Sequence, residues 1–221
     1  MIGFTLSKLD MLILVTAIFA IILFFMNSLT GIVISKQAEL LVSAYVEKVS
    51  AVILSESLCF KTLVTVPEFL SYFGSATQPE KIFPFALKIS SIQPASGEQG
   101  LSSVIMSVAN RQFPEKRLSS KRVDVKAKIF LYNWQTETDT IARAIDSSTV
   151  IDPQAFPPIN SFVLIKELFR DETFLHVIPC STEGSSCVNN TEKVGCCLFN
   201  ERREASACVQ KLENCPANLS C

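Results

Sequence analysis

Eight cysteines carry most of the reactive chemistry in this 221-residue sequence. Seven stand close together at Cys180, Cys187, Cys196, Cys197, Cys208, Cys215 and Cys221, and the eighth is Cys59. Thiols at that density either bind a metal such as zinc or cross-link. The tail has no C-x-x-C pair, and its spacings of 6, 8, 0, 10, 6 and 5 intervening residues do not repeat, so disulfides are expected in preference to zinc and no metal site is assigned. A segment this short cannot bury much apolar surface, which makes cross-links the expected source of its order. Its odd cysteine count points to Cys59 as the partner of one member, tying the tail to the top of the N-terminal helix. Adjacent Cys196 and Cys197 should bond to different partners. Oxidised cysteines in turn imply an extracytoplasmic location.

Little else in the sequence suggests catalysis. His176 is the sole histidine, has no placed acid or nucleophile beside it, and reads as structural. There is no G-x-S-x-G, H-E-x-x-H or phosphate loop, so neither an enzyme nor a cofactor is expected. Asn189-Asn190-Thr191 and Asn218-Leu219-Ser220 match the N-glycosylation triplet, a weak signal for export. Lys and Arg number 20 against 21 Asp and Glu, which argues against a nucleic-acid partner. The one local bias is Arg111 to Lys128, with seven basic residues against Glu115 and Asp124. It reads as a solvated loop and strand face, with anionic lipid as the competing partner.

The elements that must position these residues begin with Met11 to Met26, MLILVTAIFAIILFFM, whose one polar member is Thr16. The apolar character persists to Ile34. About 24 helical residues reach roughly 36 Å, enough to cross a bilayer core. A cleaved secretory signal would show a basic start and a small-residue cleavage site, whereas here Lys8 and Asp10 are the nearby charges and Phe24-Phe25-Met26 ends the run. A single transmembrane helix with membrane lipid as its partner is therefore expected. Beyond Ser35, Ala38, Leu41, Val42, Tyr45, Val49, Val52 and Ile53 recur at helical spacing opposite Lys36, Glu39, Ser43, Glu47 and Ser50. The helix should continue out of the membrane and lay this stripe on the rest of its own chain.

Gly3-Phe4-Thr5-Leu6, set directly before the apolar run, resembles the class III signal peptide of type IV pilin-like and pseudopilin-like proteins over residues 1 to about 58. The resemblance implies cleavage between Gly3 and Phe4 by a prepilin-type peptidase. It further implies a long helix packed by its outer half on an antiparallel sheet, and a filament, homomeric or heteromeric, built by stacking the N-terminal helices. Lys8 stands where bacterial members carry a glutamate, with Asp10 following, so the likeness is to the archaeal type.

The middle of the chain alternates. Phe83, Phe85, Leu87 and Ile89 suggest a strand from about Ile82, and Val123, Val125, Ala127, Ile129 and Leu131 a second one, half-buried. Val104, Met106 and Val108 could pair with it across a connection from Arg111 to Arg122, although Leu101, Val104, Ile105 and Val108 also fit a helix. Ser161 to Leu168 and Thr173 to Cys180 read as a hairpin. The expected class is α+β: residues 1–3 a leader, 4–58 the transmembrane and amphipathic helix, 59–179 a β-rich extracytoplasmic domain on an antiparallel sheet, and 180–221 a disulfide-rich tail. The expected role is a structural subunit of a surface filament or secretion pseudopilus. The alternative is a single-pass membrane-anchored extracellular binding domain that forms no filament.

Overall fold

The computed structural model describes residues 2–56, 59–71, 82–94, 100–135, 140–144, 147–169, 172–182 and 187. Among these residues one helix, α1 (Ile2–Leu54, 53 residues), precedes ten strands. At 1.5 Å per residue it is about 80 Å long. It is unbroken because its sequence is rich in Leu, Ile and Ala and contains no proline, the first proline being Pro67. At its end the Ser55 hydroxyl donates to the Val52 carbonyl (2.8 Å), and the buried Lys166 ammonium donates to the Ser55 carbonyl. That places a cation at the negative end of the helix dipole.

The strands are β1 (Cys59–Thr65), β2 (Phe69–Ser71), β3 (Ile82–Ile92), β4 (Ser102–Asn110), β5 (Arg117–Val125), β6 (Lys128–Gln135), β7 (Thr140–Arg143), β8 (Ser148–Ile151), β9 (Ser161–Phe169) and β10 (Glu172–Cys180). They form two five-stranded sheets. The first has the order β1-β9-β10-β6-β7; the second runs β2-β3-β4-β5, with β8 also paired to β3. All pairs are antiparallel except β6 with β10, which run parallel. The α+β class stands, with two sheets in place of the one expected.

The reason for two sheets lies at Lys126 and Ala127. The alternation from Val123 to Leu131 was expected to be a single strand, but the chain bends there and changes sheet, β5 pairing with β4 and β6 with β10. Val125, Ala127, Ile129 and Leu131 remain buried in the same core across the bend. β4 is a strand and not a helix, and it is buried on both faces; its connection to β5 spans only residues 111–116.

The core combines inward residues of both sheets, including Phe85, Leu87, Ile89, Val104, Met106, Val108, Phe162, Leu164, Leu175 and Val177, with one stripe of α1. That stripe is Ile34, Ala38, Val42, Tyr45, Val46, Val49 and Val52, with Leu41 and Ile53 half-buried at its margins. It packs on β5 and β4 and on β1, β2 and β9. Lys36, Glu39 and Glu47 remain exposed on the other side, as the sequence spacing requires.

Two contacts orient this β-rich head along the helix. Ser35 Oγ donates to the Leu118 carbonyl (3.2 Å), and Lys121 Nζ donates to Ser43 Oγ (3.2 Å). Strand β5 therefore rises beside α1, away from the apolar run. The end of the head beside Ser35 is its proximal end, and the end beside Ser55 its distal end.

Candidate functional site

From Met11 to Met26 every residue of α1 is exposed, including Leu14, Phe19, Ile21, Phe24 and Phe25. An uninterrupted apolar cylinder of this length is unstable in water and matches a bilayer core. By length and composition this helix can cross a membrane. Its hydroxyls suit such a place: Thr16 Oγ1 donates to the Leu12 or Ile13 carbonyl (2.9 Å each), and Thr30 Oγ1 to the Met26 carbonyl (2.8 Å). Both side chains satisfy themselves within the helix, so neither needs a polar partner from outside. At Gly31 a Cβ would meet nothing within 4 Å. Among the described residues no contact requires glycine there, although glycine weakens a helix by about 1 kcal/mol relative to alanine.

The backbone of Gly3 and Phe4 is helical, since α1 begins at Ile2; their side chains lie outside the described ones. Helix thus starts inside the segment expected to be a leader.

Of the cysteines, Cys180 and Cys187 form a disulfide with S–S 2.06 Å. It closes a short loop at the proximal end, where β10 finishes. Cys59 opens β1 at the other end of the same sheet: it lies opposite Glu167 on β9, whereas Cys180 lies opposite Ser161. Six residues of strand separate those levels by about 20 Å. Disulfide Cα atoms lie within about 7 Å, so Cys59 and Cys180 are not partners, and the link expected between Cys59 and the tail has only later cysteines to reach. The Cys59 side chain lies outside the described ones, as do Cys196, Cys197, Cys208, Cys215, Cys221, Asn189 and Asn218 altogether.

His176 sits in a buried polar chain. Its Nδ1 is 3.0 Å from the Tyr132 hydroxyl, and its Nε2 is 3.2 Å from Glu167 Oε2. With Glu167 ionised, Nε2–H donates to the carboxylate and Nδ1 accepts from the tyrosine. His176 is fully buried, and Tyr132 and Glu167 nearly so. The imidazole stacks on Phe130 and Tyr132 within a second apolar cluster of Val163, Ile165, Phe174, Ile178 and Cys180, on the opposite face of the first sheet from the main core. None of the three faces solvent, so the trio specifies packing and offers no open reaction site. The sequence marks His176 as structural but does not reveal its partners. Those follow from the register that sets His176 opposite Ile165 and Phe130.

Three of the seven cations in the basic run are paired, and a fourth, Lys121, donates to Ser43. Arg111 pairs with Asp152 (3.0 Å), Arg122 with Asp124 (2.7 Å) and Lys128 with Glu172 (2.8 Å), along both strands and the turn. A hydrogen bond from Ser103, then the Arg122 guanidinium, holds the Asp124 carboxyl below its ordinary range. Among the described residues, no three of His, Cys, Asp or Glu gather as metal ligands would.

Comparison with protein-family profiles, curated proteins and solved structures gave no match.

Proposed function

We propose that this chain is a pilin-like structural subunit of a surface filament or secretion pseudopilus, held in the cell membrane by α1 before assembly and carrying its head outside the cytoplasm. One observation carries the reading. A single continuous helix buries its outer half in the head through Ile34, Ala38, Val42, Tyr45, Val46, Val49 and Val52, and leaves its inner half, Met11 to Met26, uncovered all round. Such a helix needs an apolar environment that the chain does not supply, and either lipid or the same helix of other subunits provides it. Gly31, unexplained by contacts within the chain, leaves room for a neighbouring helix to approach. Processing between Gly3 and Phe4 by a prepilin-type peptidase belongs to this reading, and the role is structural rather than catalytic. The Cys180–Cys187 disulfide supports the exterior placement of the head.

A second reading is favoured by the self-satisfied hydroxyls of Thr16 and Thr30: a solitary anchor bearing an extracellular binding domain, for which no helix partner is needed. Shearing of cells that make the protein separates the two. The filament reading expects polymer in the sheared fraction, detected by an antibody to the head and by electron microscopy. The anchor reading expects all of the protein to stay with the membrane.

A further inference from the structure

Two loops meet at the proximal end of the head. The first joins β4 to β5 and presents Phe113, 52% exposed; the second joins β8 to β9 and presents Phe156, 100% exposed. They are fastened together. Arg111 Nε donates to Asp152 Oδ2 (3.0 Å) and Arg111 Nη2 to the Gln154 carbonyl (2.9 Å), while the Asn110 side chain accepts from the Gln112 and Phe113 amides. The second loop is closed on itself, since the amides of Ala155 and Ile159 both donate to the Asp152 carbonyl. The Gln154 side-chain amide also donates to the Glu68 carbonyl. Phe156 is therefore held out at the tip of a braced turn, followed by Pro157 and Pro158.

Strand directions fix where this tip points. β5 rises beside α1 with Leu118 level with Ser35, so the residues just before it lie at the height of Ser35 or nearer the apolar run. β3 rises, β8 descends beside it, and β9 rises again from Ser161, so residues 152–160 also turn at this end. Ser35 immediately follows the apolar stretch that ends at Ile34. Both phenylalanines thus stand beside the point where α1 leaves the membrane.

We propose that this braced double loop is a membrane-contact site, in which Phe156 and Phe113 enter the headgroup and upper acyl region of the bilayer that α1 spans. The proposal rests on the membrane placement of α1. Rings held on rigid loops lose little freedom on insertion, and aromatic side chains favour the interfacial zone. Charge is not the attraction: Arg111 is neutralised by Asp152 and Lys36 by Glu39, and in the loop sequences Lys116 and Arg117 are matched in number by Glu115 and Glu68. Zwitterionic lipid is the partner that fits. The contact sets the tilt of the head on the membrane and would be released when a subunit leaves the bilayer.

The test places single tryptophans in the full chain after Trp134→Phe removes the sole native one. Each variant is reconstituted into phosphatidylcholine vesicles brominated either near the carbonyl end or near the methyl end of the acyl chain. Phe156→Trp and Phe113→Trp should lose emission and shift to the blue with the shallow bromines and respond little to the deep ones. Phe19→Trp, inside the span, should be quenched by the deep bromines. Phe60→Trp, towards the distal end on β1, should be quenched by neither. Unquenched Phe156→Trp and Phe113→Trp beside a quenched Phe19→Trp would overturn the contact while leaving the span in place. Equal quenching at Phe60 would overturn it as well, because the head would then be lying on its side. Absence of quenching at Phe19 would remove the membrane placement of α1, and the contact with it.

Discussion

The Tyr45 hydroxyl donates to the Thr65 carbonyl at 3.0 Å, joining the outer half of α1 to the end of β1. The same ring meets Phe162 of β9 edge to face, with centroids 5.6 Å apart. One side chain thus binds the helix to the first sheet by a polar and an aromatic contact, both at the centre of the buried stripe. If the head is to move with its helix, this is a principal fastening.

Removing only the hydroxyl, as in Tyr45→Phe, should cost about 1 kcal/mol. Tyr45→Ala should cost about 3 to 5 kcal/mol, because it also empties a core site. Denaturant unfolding of the detergent-solubilised chain, followed by near-ultraviolet circular dichroism, measures both. An unchanged midpoint for Tyr45→Ala would mean that the helix is not part of the folded core.

Burial also pushes the Tyr45 phenol well above its ordinary pKa. An unfolded tyrosine loses its proton near pH 10, whereas the folded Tyr45 keeps it. The stabilisation is complete below about pH 10 and declines as pH rises from there through the folded value. The stability advantage of the wild type over Tyr45→Phe should accordingly shrink on moving above about pH 10. A gap that widens there would contradict the buried, protonated phenol.

His176→Phe would leave the Glu167 carboxylate and the Tyr132 hydroxyl each without one buried partner. Each loss should cost about 1 to 3 kcal/mol. Glu167→Gln, which still accepts from Nε2–H through its amide oxygen, should cost less than His176→Phe. Thermal unfolding ranks the variants, and a His176→Phe protein as stable as the wild type would show that the chain of hydrogen bonds does not hold the second cluster.

Substitutions in the uncovered half of α1 divide insertion from assembly. Ile21→Lys places an ammonium at mid-span and should lower membrane insertion, by about 2.5 to 3.5 kcal/mol on insertion scales. Ala17→Leu, Ala20→Leu and Gly31→Leu keep the span apolar but thicken it. For a filament subunit at least one of them should reduce sheared polymer while the membrane-inserted protein stays abundant. If polymer yield is unaffected by all three, helices do not pack closely at these positions.

Much of this fold is legible in the sequence, for physical reasons that also mark its limits. The stripe from Ala38 to Ile53 and the alternation of β3 are visible because each buries one face at its natural period, whereas β9 and β10, buried on both faces, are visible as short β-rich runs either side of a charged turn. The bend at Lys126 and Ala127 is hidden because inward residues continue at period two on both sides of it. β4 was ambiguous because both its faces are buried, with Ser102, Ser103 and Ser107 among its covered residues. β1, β7 and β8 carry no strong alternation, and the parallel pairing of β6 with β10 depends on contacts distant in sequence. At the surface, phenylalanine normally signals core, so the exposure of Phe156 emerges only once the loops are placed. The pairing of Cys180 with Cys187 could not be chosen from spacing, because one chain segment offered seven candidates.

The intact mass of the protein recovered from producing cells, with its disulfides reduced, tests the pilin-like account most directly. The account predicts a chain beginning at Phe4, short by Met1, Ile2 and Gly3, in sheared surface material, and a longer precursor in cells lacking the prepilin-type peptidase. A chain that keeps Gly3 joined to Phe4 in every fraction, peptidase present or not, would contradict it and leave α1 as a plain membrane anchor.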